Sequence, residues 1–317
     1  MNTKTKALSE AALITALICV VGLAGMYIPF LGLIVYFNFV PLIVLGKRHG
    51  IKYTITALAA ASVIFGMFAG PVAAISLLLL SGTSSAVMGG LLYMERPPYQ
   101  VLGGGILMAL VSTVIMIGIT QLATGIPMAE AMKSIFAESS EIQQSMLDVL
   151  KTDAETARNM QEMMSKASEQ AILLIPGVII IWSIVSTFIN YWLATLILRK
   201  LRTYIPPLPP FREFSLPKSV LLGTVIIYVL SIAATAMKLV DENVLMTNVQ
   251  MLMIYTFAAQ GLSVAVWFMH RRSFSKVVSA IVIIFAIANS FGVTVLFALG
   301  VTESAFRVRA RVGEKVI

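Results

Sequence analysis

Nine apolar runs, each close to the length that crosses a bilayer, constrain this chain more than any motif within it. They lie at about residues 11–27, 30–45, 51–68, 72–94, 101–123, 171–198, 220–239, 251–269 and 277–299. A helix needs roughly 20 apolar residues to traverse the hydrocarbon layer, and in that layer the backbone finds no water to bond. Each run must therefore satisfy its own N–H and C=O groups, and the alternating pattern of a membrane barrel is absent. The sequence predicts an all-α polytopic transmembrane helix bundle. Composition agrees: of 317 residues 58% are hydrophobic and only 12% charged, with a mean hydropathy of +0.91, which leaves too little charge to cover a water-soluble surface. The single Cys19 sits inside the first run without a disulfide partner and reads as a packing residue. That run is long and many more follow it, so it reads as a retained span, not a cleaved signal.

Orientation follows from Lys and Arg. With the N-terminus inside, the inner segments hold Lys4 and Lys6, then Lys47, Arg48 and Lys52, then Arg96, then Arg199, Lys200, Arg202, Arg212 and Lys218, then Arg271, Arg272 and Lys276. Against these stand Glu10, Glu95 and Glu213. The outer segments reverse the balance, with eight acidic residues between Glu130 and Glu169. The expectation is a cell membrane protein with a cytoplasmic N-terminus and residues 126–170 outside the cytoplasm. The net charge of +8 is then an inner-face property and calls for no nucleic-acid partner.

Three regions follow: a five-span front bundle over 1–125, an outer polar segment over 126–170, and a back bundle over 171–317. The polar segment keeps apolar residues at helical spacing (Met128, Met132, Ile135; Met160, Met163, Met164) and reads as two amphipathic helices joined near Thr152 and Asp153. It serves either as a solvated cap or as a lid or docking surface. Residues 204–218, YIPPLPPFREFSLPK, are too rich in proline for a helix and read as a stiff inner connector. At the C-terminus two rules collide, because an unbroken ninth span would carry Arg307, Arg309 and Arg311 outside. The cluster Asn289-Ser290-Phe291-Gly292 can break a helix. Eight full spans with a broken or re-entrant last segment are therefore expected, and nine spans are the alternative.

No Asp, Glu, Lys, Arg or His falls near the middle of a predicted span, which disfavours an autonomous ion-driven carrier. His49 and His270 read as interfacial, and no zinc or other metal-ligand motif is present. The run Gly82-Thr83-Ser84-Ser85 lacks a histidine base within any span, so no catalytic residue, metal or cofactor is assigned. Ser81, Ser85 and Gly89, with Gly82, Ala86 and Gly90, instead form small faces for close helix contact, with hydroxyls open to a ligand. Uncharged polar groups at depth are few. Asn38, Ser84, Gln121, Asn190, Tyr191, Gln260 and Asn289 are the ligand-binding candidates, each with helix tying as its simpler role. Together they would suit a small organic ligand in a neutral pocket.

Three stretches carry a family resemblance: SEAALITALI at 9–18, FNFVPLIVLGKRHG at 37–50 and LPPFREFSLP at 208–217, with LGVTESAFRVR at 299–309 a weaker fourth. On these the chain resembles, nearly end to end, the YybS-like bacterial membrane proteins, a family of unassigned function. Its first half is similar to the substrate-binding subunits of energy-coupling-factor vitamin transporters. That likeness implies that Ala12 and Ala16 face a transmembrane coupling subunit that works with ATPases. The polar middle and the extra spans depart from the six-helix pattern. Two functions stay open: a substrate-binding subunit of an ATP-driven transporter energised by separate chains, or a non-transporting scaffold that docks partners.

Overall fold

The computed structural model describes residues 3–28, 39–149 and 154–314. Its helices are α1 (Thr3–Tyr27), α2 (Phe39–His49), α3 (Ile51–Ala69), α4 (Pro71–Ser76), α5 (Ser84–Tyr93), α6 (Pro98–Thr124), α7 (Met128–Val149), α8 (Ala154–Leu173), α9 (Ile175–Lys200), α10 (Lys218–Ala236), α11 (Glu242–Arg271), α12 (Lys276–Ala288), α13 (Ser290–Phe306) and α14 (Val308–Glu314). A π-helical stretch, Leu77–Thr83, joins α4 to α5 within one span. Among the described residues seven helices are long and apolar enough to cross a membrane, and α12 with α13 forms a further pair bent by 102°. The apolar run at 30–45 falls partly outside the described residues, as does Asn38. The architecture is the expected polytopic helix bundle with a broken final segment.

The chain divides into two compact units, the first built from residues 1–161 and 179–207, the second from 162–178 and 208–317. This departs from the division at 171 read from the sequence, since most of α9 goes with the front helices. The cause is a stripe on α9, in which Ser183, Thr187, Asn190, Tyr191, Ala194 and Leu198 are all buried. Gly105 of α6 makes room for it, because a Cβ there would stand 2.8 Å from Thr187 Cγ2.

In the first unit α1 packs on α3. Thr15 Oγ1 reaches the Ala57 carbonyl at 3.1 Å, and Cys19, buried as expected, places its sulfur 3.6 Å from the Ala61 carbonyl. The opposite face of α1, with Leu13, Leu17 and Val20, is exposed, as are Ala12 and Ala16. Helix α2 meets α5 almost backbone to backbone: a Cβ on Gly46 would lie 2.6 Å from Gly89 Cα. The small face predicted on the fourth span therefore packs as expected, Gly89 against Gly46 and Gly82 against Leu58. Helix α6 turns Leu107, Val111, Val114 and Ile115 outward, apolar contact suited to lipid.

In the second unit α11 and α13 cross at Gly261 and Gly300. A Cβ on either would run into the carbonyl of Leu296 or Phe257, so nothing but glycine permits this approach. Gln250, Met253 and Ile254 lie beside Thr294 and Phe297 at one end, and Ser263 meets Arg309 at the other, so the two helices run parallel. The break before α13 is made by Asn289. Its backbone is extended (φ −133°, ψ 150°), its Oδ1 accepts the Gly292 N–H at 2.7 Å, and its amide donates to the Phe285 carbonyl. An Asn in this conformation satisfies the N–H groups that a new helix start leaves open. Because α13 parallels α11, the bent pair brings the chain back to the end from which α12 departs. Helices α7 and α8 are the two amphipathic helices expected at 126–170; their junction lies outside the described residues.

Candidate functional site

The π-helical stretch widens the span that carries Ser84 and Ser85, and single π turns of this kind often accompany functional sites. Thr83 Oγ1 lies 2.7 Å from the Leu79 carbonyl and 2.6 Å from Ser112 Oγ. Beside this stretch, within the first unit, α5, α6 and α9, with Ile43 of α2 and Leu80 of the stretch itself, line a cavity of about 220 Å³. Its polar lining is Ser84, Ser85, Thr113, Ser183, Ser186, Thr187 and Asn190, with Trp182 at its side and no acidic or basic residue among the groups that line it.

Ser84 Oγ donates to the Gly105 carbonyl at 2.9 Å. Asn190 is 4% exposed, and its Nδ2 donates to the Ser186 carbonyl at 2.9 Å. A carbonyl can only accept, so this bond fixes which end of the amide is nitrogen. The other end, Oδ1, is buried and has no hydrogen-bond partner. An unpaired buried acceptor costs about 1–3 kcal/mol, and here it belongs to a residue that lines a cavity. A lining without charged groups suits a molecule without net charge.

The other sequence candidates scatter. Tyr191 is fully buried with its hydroxyl unpartnered, but it does not line this cavity. Gln121 is exposed near the end of α6. Gln260 and Asn289 belong to the second unit, where Gln260 Oε1 accepts the Leu216 N–H at 2.9 Å and Asn289 makes the helix break. Asn38 lies outside the described residues. Thus of these candidates the structure brings together Ser84 and Asn190 alone, and adds Thr113, Ser183, Ser186 and Thr187, which sequence reasoning missed because a hydroxyl every few residues is ordinary in membrane helices.

Two more polar constructions were not foreseen. Asn248, 7% exposed, accepts the Gly177 N–H at 2.6 Å and donates to the carbonyls of Leu173 and Val244. At the other end of the second unit the Pro-rich connector is clasped by Arg309. The guanidinium bonds Glu303 at 2.9 Å, the Arg212 carbonyl at 2.7 Å and the Phe214 carbonyl at 2.8 Å. Ser263 Oγ stands 2.8 Å from the Phe211 and Phe214 carbonyls, and Phe211 stacks on Phe214 at 6.0 Å. The left-handed turn at Arg307 (φ 49°) folds residue 309 back over the helix end, so its own N–H also reaches Glu303 at 3.1 Å. Glu303 itself is buried inside α13, which runs past the predicted limit of its apolar segment.

Helices of this length and apolarity, with lipid-suited surfaces and polar groups gathered inward, define a multi-pass α-helical membrane protein. Residues 16–304 match the family described as "Predicted membrane protein (DUF2232)", and the chain belongs to that family. It is also 26% identical to the uncharacterized protein YybS of Bacillus subtilis (strain 168), over 98% of this chain and 99% of that protein. No solved structure matches it.

Proposed function

We propose that this protein holds a small, uncharged, hydrogen-bond-donating organic molecule in the cavity between α5, α6 and α9, as the substrate-binding subunit of a transporter whose energy comes from separate ATPase-bearing chains. The observation that carries the reading is the unpartnered Oδ1 of Asn190, a buried acceptor on a residue that lines a hydroxyl-bearing space. An uncharged lining selects against ions, since a charge brought there would lose its hydration without a counter-charge. The space is somewhat larger than the ~150 Å³ known to hold a benzene ring, which limits the ligand to roughly one small ring or its equivalent. The exposure of Ala12 and Ala16, beside Leu13 and Leu17, supports contact with a coupling subunit, because small side chains let helices approach closely in lipid. On this reading the N-terminus, the connector and the basic tail are cytoplasmic and α7 and α8 lie outside.

Native mass spectrometry of the detergent-purified chain tests the proposal. A small neutral adduct is expected on the wild type, and Asn190→Leu, which removes the acceptor at similar volume, is expected to lose it while the protein remains folded. A wild-type spectrum without any adduct, taken directly from mild detergent, or an adduct unchanged by Asn190→Leu, would count against the cavity as the site.

A further inference from the structure

At one end of the first unit a second, open pocket of about 590 Å³ gathers Lys6, Lys47, Arg48 and His49 beneath two phenol rings, Tyr93 and Tyr204. We infer that this pocket binds a phosphate-bearing anion, with an anionic phospholipid headgroup or a soluble phosphate ester as its source. The inference stands apart from the cavity described above and uses none of its residues.

Lys47 carries the argument. It is 9% exposed, and its ammonium donates to the Leu92 carbonyl at 3.0 Å, near the C-terminus of α5, where a cation is favoured by the helix dipole. That contact uses one of three N–H donors. Among the described residues no carboxylate pairs with Lys47 or with Lys6, and a buried cation is stable only when paired and hydrogen-bonded. The acids nearby do not fill the role. Glu10 is engaged by Arg48 at 2.7 Å and His49 at 2.8 Å, which also fixes the side chains of these two residues along the pocket wall. Glu95, the one acid lining the pocket, is exposed to solvent.

The remaining donors suit phosphate oxygens. Arg48 gives one guanidinium position to Glu10 and keeps others, Lys47 keeps two N–H groups, and Lys6 lines the pocket from an exposed position. Charge-assisted bonds of this kind are about twice as strong as neutral ones. Tyr93 and Tyr204, 54% and 69% exposed, are the amphipathic rings expected at headgroup level. They place the pocket where a phospholipid would present its phosphate.

The full chain, purified in an uncharged detergent, is titrated with dioleoyl phosphatidylglycerol, dioleoyl phosphatidylcholine and glycerol 3-phosphate, with occupancy read by native mass spectrometry. Preferential uptake of phosphatidylglycerol, weakened about tenfold in Lys6→Ser/Lys47→Gln and retained in Lys47→Arg, supports the site with lipid as its source. Uptake of glycerol 3-phosphate with the same dependence on Lys6 and Lys47 supports it with a soluble source. Lys6 is exposed, so Lys6→Ser alone keeps the fold and is expected to weaken binding about threefold even where changes at Lys47 disturb folding. Equal uptake of phosphatidylglycerol and phosphatidylcholine without any glycerol 3-phosphate, or undiminished uptake by Lys6→Ser, overturns the inference.

Discussion

Glu303 and Arg309 show how one charged pair can organise a region that is otherwise apolar. Their side chains are 6% and 11% exposed, so each depends on the other and on the connector carbonyls for its solvation. Breaking such a pair from one side leaves an uncompensated buried charge and costs about 3–5 kcal/mol, whereas replacing both partners by apolar groups is often near neutral. Glu303→Gln is therefore expected to lower the detergent melting midpoint of the protein sharply, and Glu303→Leu/Arg309→Met to recover much of the loss; equal melting of wild type and Glu303→Gln would show that the pair is effectively solvated. This pair was hard to read from the sequence. The spacing of residues 303 and 309 suggests neighbouring helix turns, while the bond forms only because Arg307 takes a left-handed conformation, which few non-glycine residues adopt. Asn190 was legible as one of several buried amides, since a polar group in hydrocarbon needs a partner. That its oxygen is left unpartnered depends on Ser186 and on helix packing, neither of which a single sequence displays.

Helix α13 owes its position to two residues whose roles differ in how far they reach. Asn289 acts on its own neighbours, and cap chemistry of this local kind is written in the order Asn-Ser-x-Gly, which is why the break could be placed from the sequence. Replacing it by Ala removes a cap worth about 1 kcal/mol. Gly300 acts on a helix some forty residues away, and its sequence context says that close approach is possible without saying to what. The same holds for Gly46, whose partner Gly89 was recognised as part of a small face while Gly46 itself was not. Because the groups in the way are backbone carbonyls of α11, Gly300→Ala cannot be absorbed by a rotamer change and is expected to destabilise the second unit by about 2–3 kcal/mol or more. Gly118→Ala, at a site with open space around it, provides the control. Hydrogen exchange over α11 and α13, faster in Gly300→Ala and unchanged in Gly118→Ala, is the expected result.

Across the whole molecule the sequence exposed the all-α, multi-span character, because apolar length is a property of consecutive residues, but not the span count: where eight full spans were expected, seven helices among the described residues are long and apolar enough, and the run at 30–45 lies partly outside those residues. It did not expose the grouping of α9 with the front helices. In lipid, outward and inward faces are both apolar, and the buried stripe on α9 differs from its exposed side mainly in small and hydroxylated residues. Orientation is a separate quantity that the charge distribution predicts. A green fluorescent protein fused after Ile317 is expected to fluoresce and periplasmic alkaline phosphatase at the same point to be inactive, since the bent α12–α13 pair returns the tail to the connector's end and the segment that holds the connector carries Arg199, Lys200, Arg202, Arg212 and Lys218 against Glu213 alone. The reverse pair of results would place that end outside and invert the assignment of α7 and α8. The Arg309 clasp also bears on how the molecule is made. Arg309 grips the Arg212 carbonyl across 97 positions of sequence, and four helices, α10 to α13, are synthesised between the two. A growing chain therefore carries its proline-rich segment through the insertion of all four without this grip, held until then only by the bonds that Gln260 and Ser263 of α11 can supply, and the guanidinium closes over it last.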